Sequence, residues 1–210
     1  GPILSFSVNE EVRSRPDQAT VGAGVQTTAP TAVEAMRLNA AAMDKLIAAA
    51  KARGIEPEDI QTSGINLSPQ YDYNNTGNGQ PPRFIGYQAS NQLSVVVHDL
   101  AKLGPLIDAM VGAGATNING PSFGVADDSA LLRQAREKAL DDAKARAQFY
   151  ATRTGYKSVR LVSISEQGGG YPVPMPMMQM AKAEAASATP VEPGQISTSV
   201  TLSVQYVLER

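Results

Sequence analysis

Asp59-Ile-Gln-Thr-Ser-Gly-Ile-Asn-Leu-Ser-Pro-Gln-Tyr71, joined by a polar loop to Gly86-Tyr-Gln-Ala-Ser-Asn-Gln-Leu-Ser-Val-Val-Val97, is the passage on which the fold turns. Leu93, Val95 and Val97 alternate with Gln92, Ser94 and Val96, the period of a strand with one buried face. Residues 60–73 and 84–98 therefore read as two long antiparallel strands. Between them, Asn74-Asn-Thr-Gly-Asn-Gly-Gln-Pro-Pro82 has no apolar side chain apart from its prolines, so residues 74–83 read as a flexible hairpin tip. Tyr71, Tyr73, Phe84 and Tyr87 gather beside that tip in a chain that is only 5% aromatic. Aromatic side chains are favoured interface anchors, which makes these four interface candidates. The plainer explanation is that they pair with one another across the hairpin.

Outward from this hairpin the chain alternates strands and helices. Residues 3–12 place Leu4, Phe6 and Val8 on one face, and Ala19, Val21, Ala23 and Val25 alternate with Thr20, Gly22 and Gly24. With Pro16-Asp17 as a turn, these two segments are expected to form a hairpin. Gly22 and Gly24 on one face predict that something packs very close there. Thr31-Ala-Val-Glu34 is a capping box that opens a helix with Val33, Met36, Ala40, Met43 and Ile47 at helical spacing, stopped by Gly54.

A second helix follows Asp99, with Leu100, Leu103, Met110 and Val111 in its apolar stripe, and a short strand occupies 117–125. A long third helix ends near Gly155, and its Ala135, Ala139, Ala143, Ala147 and Ala151 form a seam for close packing. Residues 159–165 and 196–208 read as the last strands, with Val200, Leu202, Val204, Tyr206 and Leu208 on one face. The Gly/Pro/Met-rich residues 168–194 between them read as an insertion.

The expected architecture is α+β: a mostly antiparallel or mixed sheet with about three helices packed on one face, long hairpin arms, and the order ββαββαβαββ. The step through the Leu100 helix is a βαβ crossover. A length of 210 residues fits a single domain over 1–210.

The succession of phrases carries a family resemblance. An alanine-rich helix leads to Asp59-Ile-Gln-Thr-Ser-Gly64, Ser68-Pro-Gln-Tyr71 and Gly86-Tyr-Gln-Ala-Ser-Asn91. A leucine-spaced helix, Asn117-Ile-Asn-Gly-Pro-Ser-Phe123 and a long Ala/Arg/Lys/Asp helix follow. Together they resemble the SIMPL domain family, whose bacterial members are catalogued as a domain of unknown function. The resemblance covers nearly the whole chain. It implies the bacterial periplasm, envelope association with peripheral contact to the outer membrane, and a connection with stress tolerance or immune recognition. It brings no catalytic residue set.

Composition narrows the function classes. A formal charge of −2 with Lys and Arg interleaved among Asp and Glu offers no basic face for nucleic acid. No apolar run reaches the roughly 20 residues a membrane span needs. Gly1-Pro2 reads as the remnant of a cleaved tag, so a secretory signal peptide is expected to have been removed. Zero cysteines rule out disulfides, thiolate metal sites and a cysteine nucleophile.

Candidate chemistry is sparse. His98 is the single histidine and cannot anchor a typical zinc site alone. Asp127-Asp128 and Asp141-Asp142 are paired carboxylates, the first suited to helix capping and the second pointing about 100° apart around a helix. Gly22-Ala-Gly24 and Gly112-Ala-Gly114 lack the strand–glycine–helix context of a phosphate loop. Asn74-Asn-Thr76 matches a glycosylation sequon that has no expected meaning in a bacterial periplasm. Met175, Met177, Met178 and Met180 are the sharpest metal candidates, because thioethers are soft ligands that select Cu(I); the plainer and favoured explanation is an adaptable apolar loop that packs on a partner or stays disordered.

The resulting expectation is a non-enzymatic protein without cofactor that self-assembles into a homo-oligomeric scaffold, ring- or channel-like. The alternatives are a monomeric adaptor gripping a peptide at a sheet edge, or Cu(I) binding through the Met-rich loop.

Overall fold

In the computed structural model, residues 1–74, 76–167, 173–175 and 188–210 are described. The chain runs β1 (Ile3–Ser14), β2 (Gln18–Ala29), α1 (Ala32–Ala52), β3 (Ile60–Asp72), β4 (Arg83–Val97), α2 (Leu103–Gly112), β5 (Asn117–Gly124), α3 (Ser129–Arg153), β6 (Ser158–Gln167), β7 (Val173–Met175) and β8 (Gln195–Glu209). Apart from the three-residue β7, which falls within the expected 168–194 insertion, the order and the α+β class are those expected from the sequence, with most boundaries within two residues. The chain divides into two compact units, one from 1–16, 124–180 and 193–210, the other from 17–123 and 181–192.

The second of these units holds a four-stranded sheet in the order β3-β4-β2-β5. β4 pairs antiparallel with both β2 and β3. Gly24 lies against Asn117, Gly22 against Asn119 and Gly120 against Thr20, so β5 runs opposite to β2 and parallel to β4. Two parallel crossovers, β2-α1-β3 and β4-α2-β5, thus interlock as a split βαβ unit. The close approach expected at Gly22 and Gly24 is the Asn117 and Asn119 side of β5. A Cβ on Gly24 would overlap the Asn117 amide.

Helix α1 begins as the capping box requires: Thr31 Oγ1 accepts from Glu34 N at 3.3 Å. It ends with Gly54 at φ +81°, a backbone setting that glycine adopts without strain. Of its buried residues, Met43, Leu46 and Ala50 pack with Val21, Val25, Leu93 and Val95 of the sheet and Leu103, Leu106 and Met110 of α2, while Ala35 packs with Ala29 and Ala89. Each fully buried Leu or Val there contributes about 1.5–3 kcal/mol.

The first unit holds β1-β8-β6, with β7 also on β8. All five seam alanines of α3 are fully buried, and four of them pack on Val8, Val12, Val200, Leu202, Val204 and Tyr206. Small side chains bring the helix close to the sheet, as the four-residue alanine repeat demanded.

Two expectations are corrected. β1 and β2 do not form a hairpin: β1 pairs with β8 from Ile3↔Val207 to Ser14↔Ile196, while β2 pairs with β4. The apolar face of β8 matches β1 over its whole length, and that long complementary ladder outweighs the local turn at Pro16-Asp17. Nor do three helices cover one sheet: α1 and α2 pack with the β3-β4-β2-β5 sheet, and α3 with the other.

Candidate functional site

The face of β3 and β4 that α1 covers continues past the helix. In the ladder Leu67 stands opposite Ala89, which is fully buried under α1, and Ile65 opposite Asn91. At β3 that cover runs out, leaving Ile65 63% and Leu67 39% exposed. β3 is the edge of its sheet, and among the described residues no strand adds to its outer side. From Ile60 to Tyr71 it carries no charged side chain. Natural edge strands usually carry charge against unwanted pairing; of the 13 residues of β3 only Asp72, at its outer end, is charged.

Further along the hairpin the aromatic candidates separate into two groups. Tyr71 and Phe84 meet edge to face at 5.8 Å, and Phe84 and Tyr87 at 5.3 Å. Such contacts contribute about 0.5–1.5 kcal/mol each beyond area burial. This is the cross-strand pairing of the plainer explanation, yet Tyr71 and Phe84 remain more than two-fifths exposed, as does Ile85. Tyr73 joins none of these rings and is largely exposed. The first charges on the arm are Arg83 and Asp72, 3.9 Å apart at its outer end.

At the base of the arm a cavity of about 410 Å³ is lined by Thr28, Pro30, Gln70, Gly86, Tyr87 and Gln88, among others. Gly86 has φ +144° and lies against the Ala29 carbonyl, where a side chain would be both strained and obstructed.

The remaining candidates stay apart. His98 Nε2 is 3.0 Å from Asp59 Oδ1 on the surface. Asp127 accepts from the Ser129 N–H at 3.0 Å. The Ser129 hydroxyl and N–H hold the Asp127 carboxyl below its usual range. Asp142 pairs with Arg146 at 2.8 Å on an exposed turn of α3. Gly112 has open space around its Cα, as a helix terminator would. The Met175 backbone pairs with Gln195 in the β7–β8 ladder. Met177, Met178 and Met180 lie outside the described residues, as does Asn75 of the sequon. Among the described residues, no three His, Asp or Glu side chains cluster to hold a metal, and no helix is long and apolar enough to cross a membrane.

Ile65 and Leu67 were not singled out in the sequence. Their alternation with Gly64, Asn66 and Ser68 signals a buried face, and only the position of β3 at the sheet edge exposes them. The signal available was the uncharged run itself.

A family model described as SIMPL, protein of unknown function (DUF541), matches residues 4–206. The chain belongs to the SIMPL family. Among similar SIMPL proteins is the 26 kDa periplasmic immunogenic protein of Brucella melitensis, 38% identical over 154 residues, which are 72% of this chain and 61% of that protein. Another is the uncharacterized protein YggE of Escherichia coli K12, 31% identical over 153 residues, 72% of this chain and 60% of that protein. YggE of Edwardsiella ictaluri is 29% identical over 151 residues, 72% of this chain and 62% of that protein. The match thus spans about three-fifths of the length of these relatives. None of their names denotes an enzyme.

Proposed function

We propose that this chain is a non-enzymatic periplasmic protein that assembles with copies of itself into an envelope scaffold. The carrying observation is the uncharged, apolar β3 edge with its exposed aromatic arm, Ile65, Leu67, Tyr71, Phe84 and Ile85. A contiguous apolar surface of this kind on a folded domain is a liability unless something covers it. A copy of the same chain is the one partner always present at the concentration of the chain itself.

A second exposed strand extends the reading. In the other unit, β6 is also an edge and exposes Leu161, Val162 and Ile164. Two different joining surfaces on one chain carry assembly past a dimer, and closed symmetry then yields a ring- or channel-like form. The periplasmic placement is supported by the name of the Brucella relative, and a part in immune recognition by the word immunogenic in it. Stress tolerance and peripheral contact with the outer membrane belong to the same envelope role.

The test compares the unaltered protein with a Leu67→Lys/Phe84→Ser variant by light scattering at micromolar concentration. The scaffold reading requires the unaltered protein to be oligomeric and the variant to shift toward the monomer with its circular dichroism unchanged. An unaltered protein that is already a monomer removes it.

A further inference from the structure

Pro69 fixes how the edge of β3 can be used. It stands opposite Tyr87 in the β3–β4 ladder. Proline has no N–H to give a neighbouring strand, so within a sheet its nitrogen is directed to the open side. The register from Gly64 to Gln70 is unbroken. Backbone direction alternates strictly along such a stretch. Leu67 and Ile65 therefore also turn their N–H and C=O groups outward, while Asn66 and Ser68 turn theirs toward β4. The open edge presents two complete donor–acceptor sets at Ile65 and Leu67, a carbonyl alone at Pro69, and a register shift between Thr62 and Gly64.

We infer that β3 pairs antiparallel with β3 of a second copy across a two-fold axis at Asn66, so that Ile65 of each chain faces Leu67 of the other. This deepens the self-assembly reading and rests on it. Identical strands related by a two-fold axis must run antiparallel, and residues that face outward must meet residues that face outward. Three registers satisfy this near the centre of the edge. An axis at Ile65 sets Leu67 against Ser63, inside the irregularity. An axis at Leu67 sets Ile65 against Pro69, which cannot donate. The axis at Asn66 alone matches both complete sets and places the two irregular positions, Ser63 and Pro69, opposite each other.

Side-chain chemistry agrees. In this register residues 61–71 of each copy face residues 61–71 of the other, and none of them is charged. The Asn66 amide can donate to and accept from its own copy. Ile65 and Leu67, left exposed where α1 stops covering the sheet, would close into one apolar cluster of four side chains. The pairing joins two four-stranded sheets into a continuous one.

The chain has no cysteine, so Asn66→Cys introduces a single thiol. Residues opposite each other at such a non-hydrogen-bonded position have Cα atoms about 4.5 Å apart, within disulfide reach. The experiment oxidises N66C and, as a register control, Ser68→Cys with glutathione disulfide. Linked dimer is read on a non-reducing gel, and each sample is also weighed by native mass spectrometry. The expected result is conversion of most of N66C and little of S68C. A further variant, Leu67→Pro in the N66C background, removes one outward N–H without touching the β4 ladder and should abolish the linked dimer while the thermal unfolding transition remains cooperative. Equal linking of both cysteine variants overturns the register. Assembly without linking of N66C, or survival of the linked dimer when L67P is added to N66C, overturns the β3 joint but leaves self-assembly standing. A protein that is monomeric throughout overturns both.

Discussion

The side-chain amide of Asn39 in α1 donates to the Ala89 carbonyl of β4 at 3.1 Å, and also to the Val25 carbonyl of β2 at 3.3 Å. Asn39 is 2% exposed, so a helix is pinned to two strands of the sheet by one buried amide. Asn39→Ala should cost about 1–3 kcal/mol in a urea titration. Asn39→Asp should cost more at neutral pH, because a carboxylate there faces two carbonyl oxygens. Its folded-state pKa is then raised above the unfolded value, so the loss shrinks as pH falls and the acid form can donate. A variant of equal stability at pH 7 and pH 4 contradicts this.

The alanine seam of α3 leaves no room to grow. Ala143 is fully buried against the β1-β8-β6 sheet. Ala143→Leu should destabilise by about 1–3 kcal/mol through overpacking. Lys144→Ala, an exposed neighbour, should stay within about 0.5 kcal/mol. Similar melting temperatures for the two variants would refute close packing at the seam.

Thr198 in β8 is fully buried, and its hydroxyl has no hydrogen-bond partner among the described residues. Thr198→Val keeps the shape, removes the unsatisfied group and suits a strand, so it should stabilise by about 1 kcal/mol. A lower denaturation midpoint for this variant would show that the hydroxyl is bonded.

Asp108 in α2 receives both groups of Thr189: the hydroxyl at 2.5 Å and the backbone N–H at 3.0 Å. These bonds hold the Asp108 carboxyl below the ordinary carboxylate range. A depressed folded pKa contributes stability above the unfolded pKa and loses it as pH falls through the lower, folded value. Asp108→Asn should therefore narrow the gap in melting temperature between neutral and strongly acid pH. An unaltered gap would show that the pair contributes nothing to acid sensitivity.

Local patterning made most elements legible. The Thr31 capping box, the Gly54 stop, the alanine repeat of α3 and the alternation at Leu93, Val95 and Val97 each fix an element through contacts within a few residues. Strand partnership was not legible, because it depends on which distant face complements a strand. β1 finds β8 at the far end of the chain and passes over its neighbour β2. The candidate site was half legible: aromatic residues by the tip of the β3–β4 hairpin were visible as a cluster, and three of the four do touch. Ile65 and Leu67 were hidden, because an edge strand and a central strand carry the same alternation.

The solution mass of the intact protein at micromolar concentration tests self-assembly most directly. Sedimentation equilibrium should return a discrete multiple of the 22.1 kDa chain. A single species at the mass of one chain, unchanged as concentration rises, would contradict the scaffold.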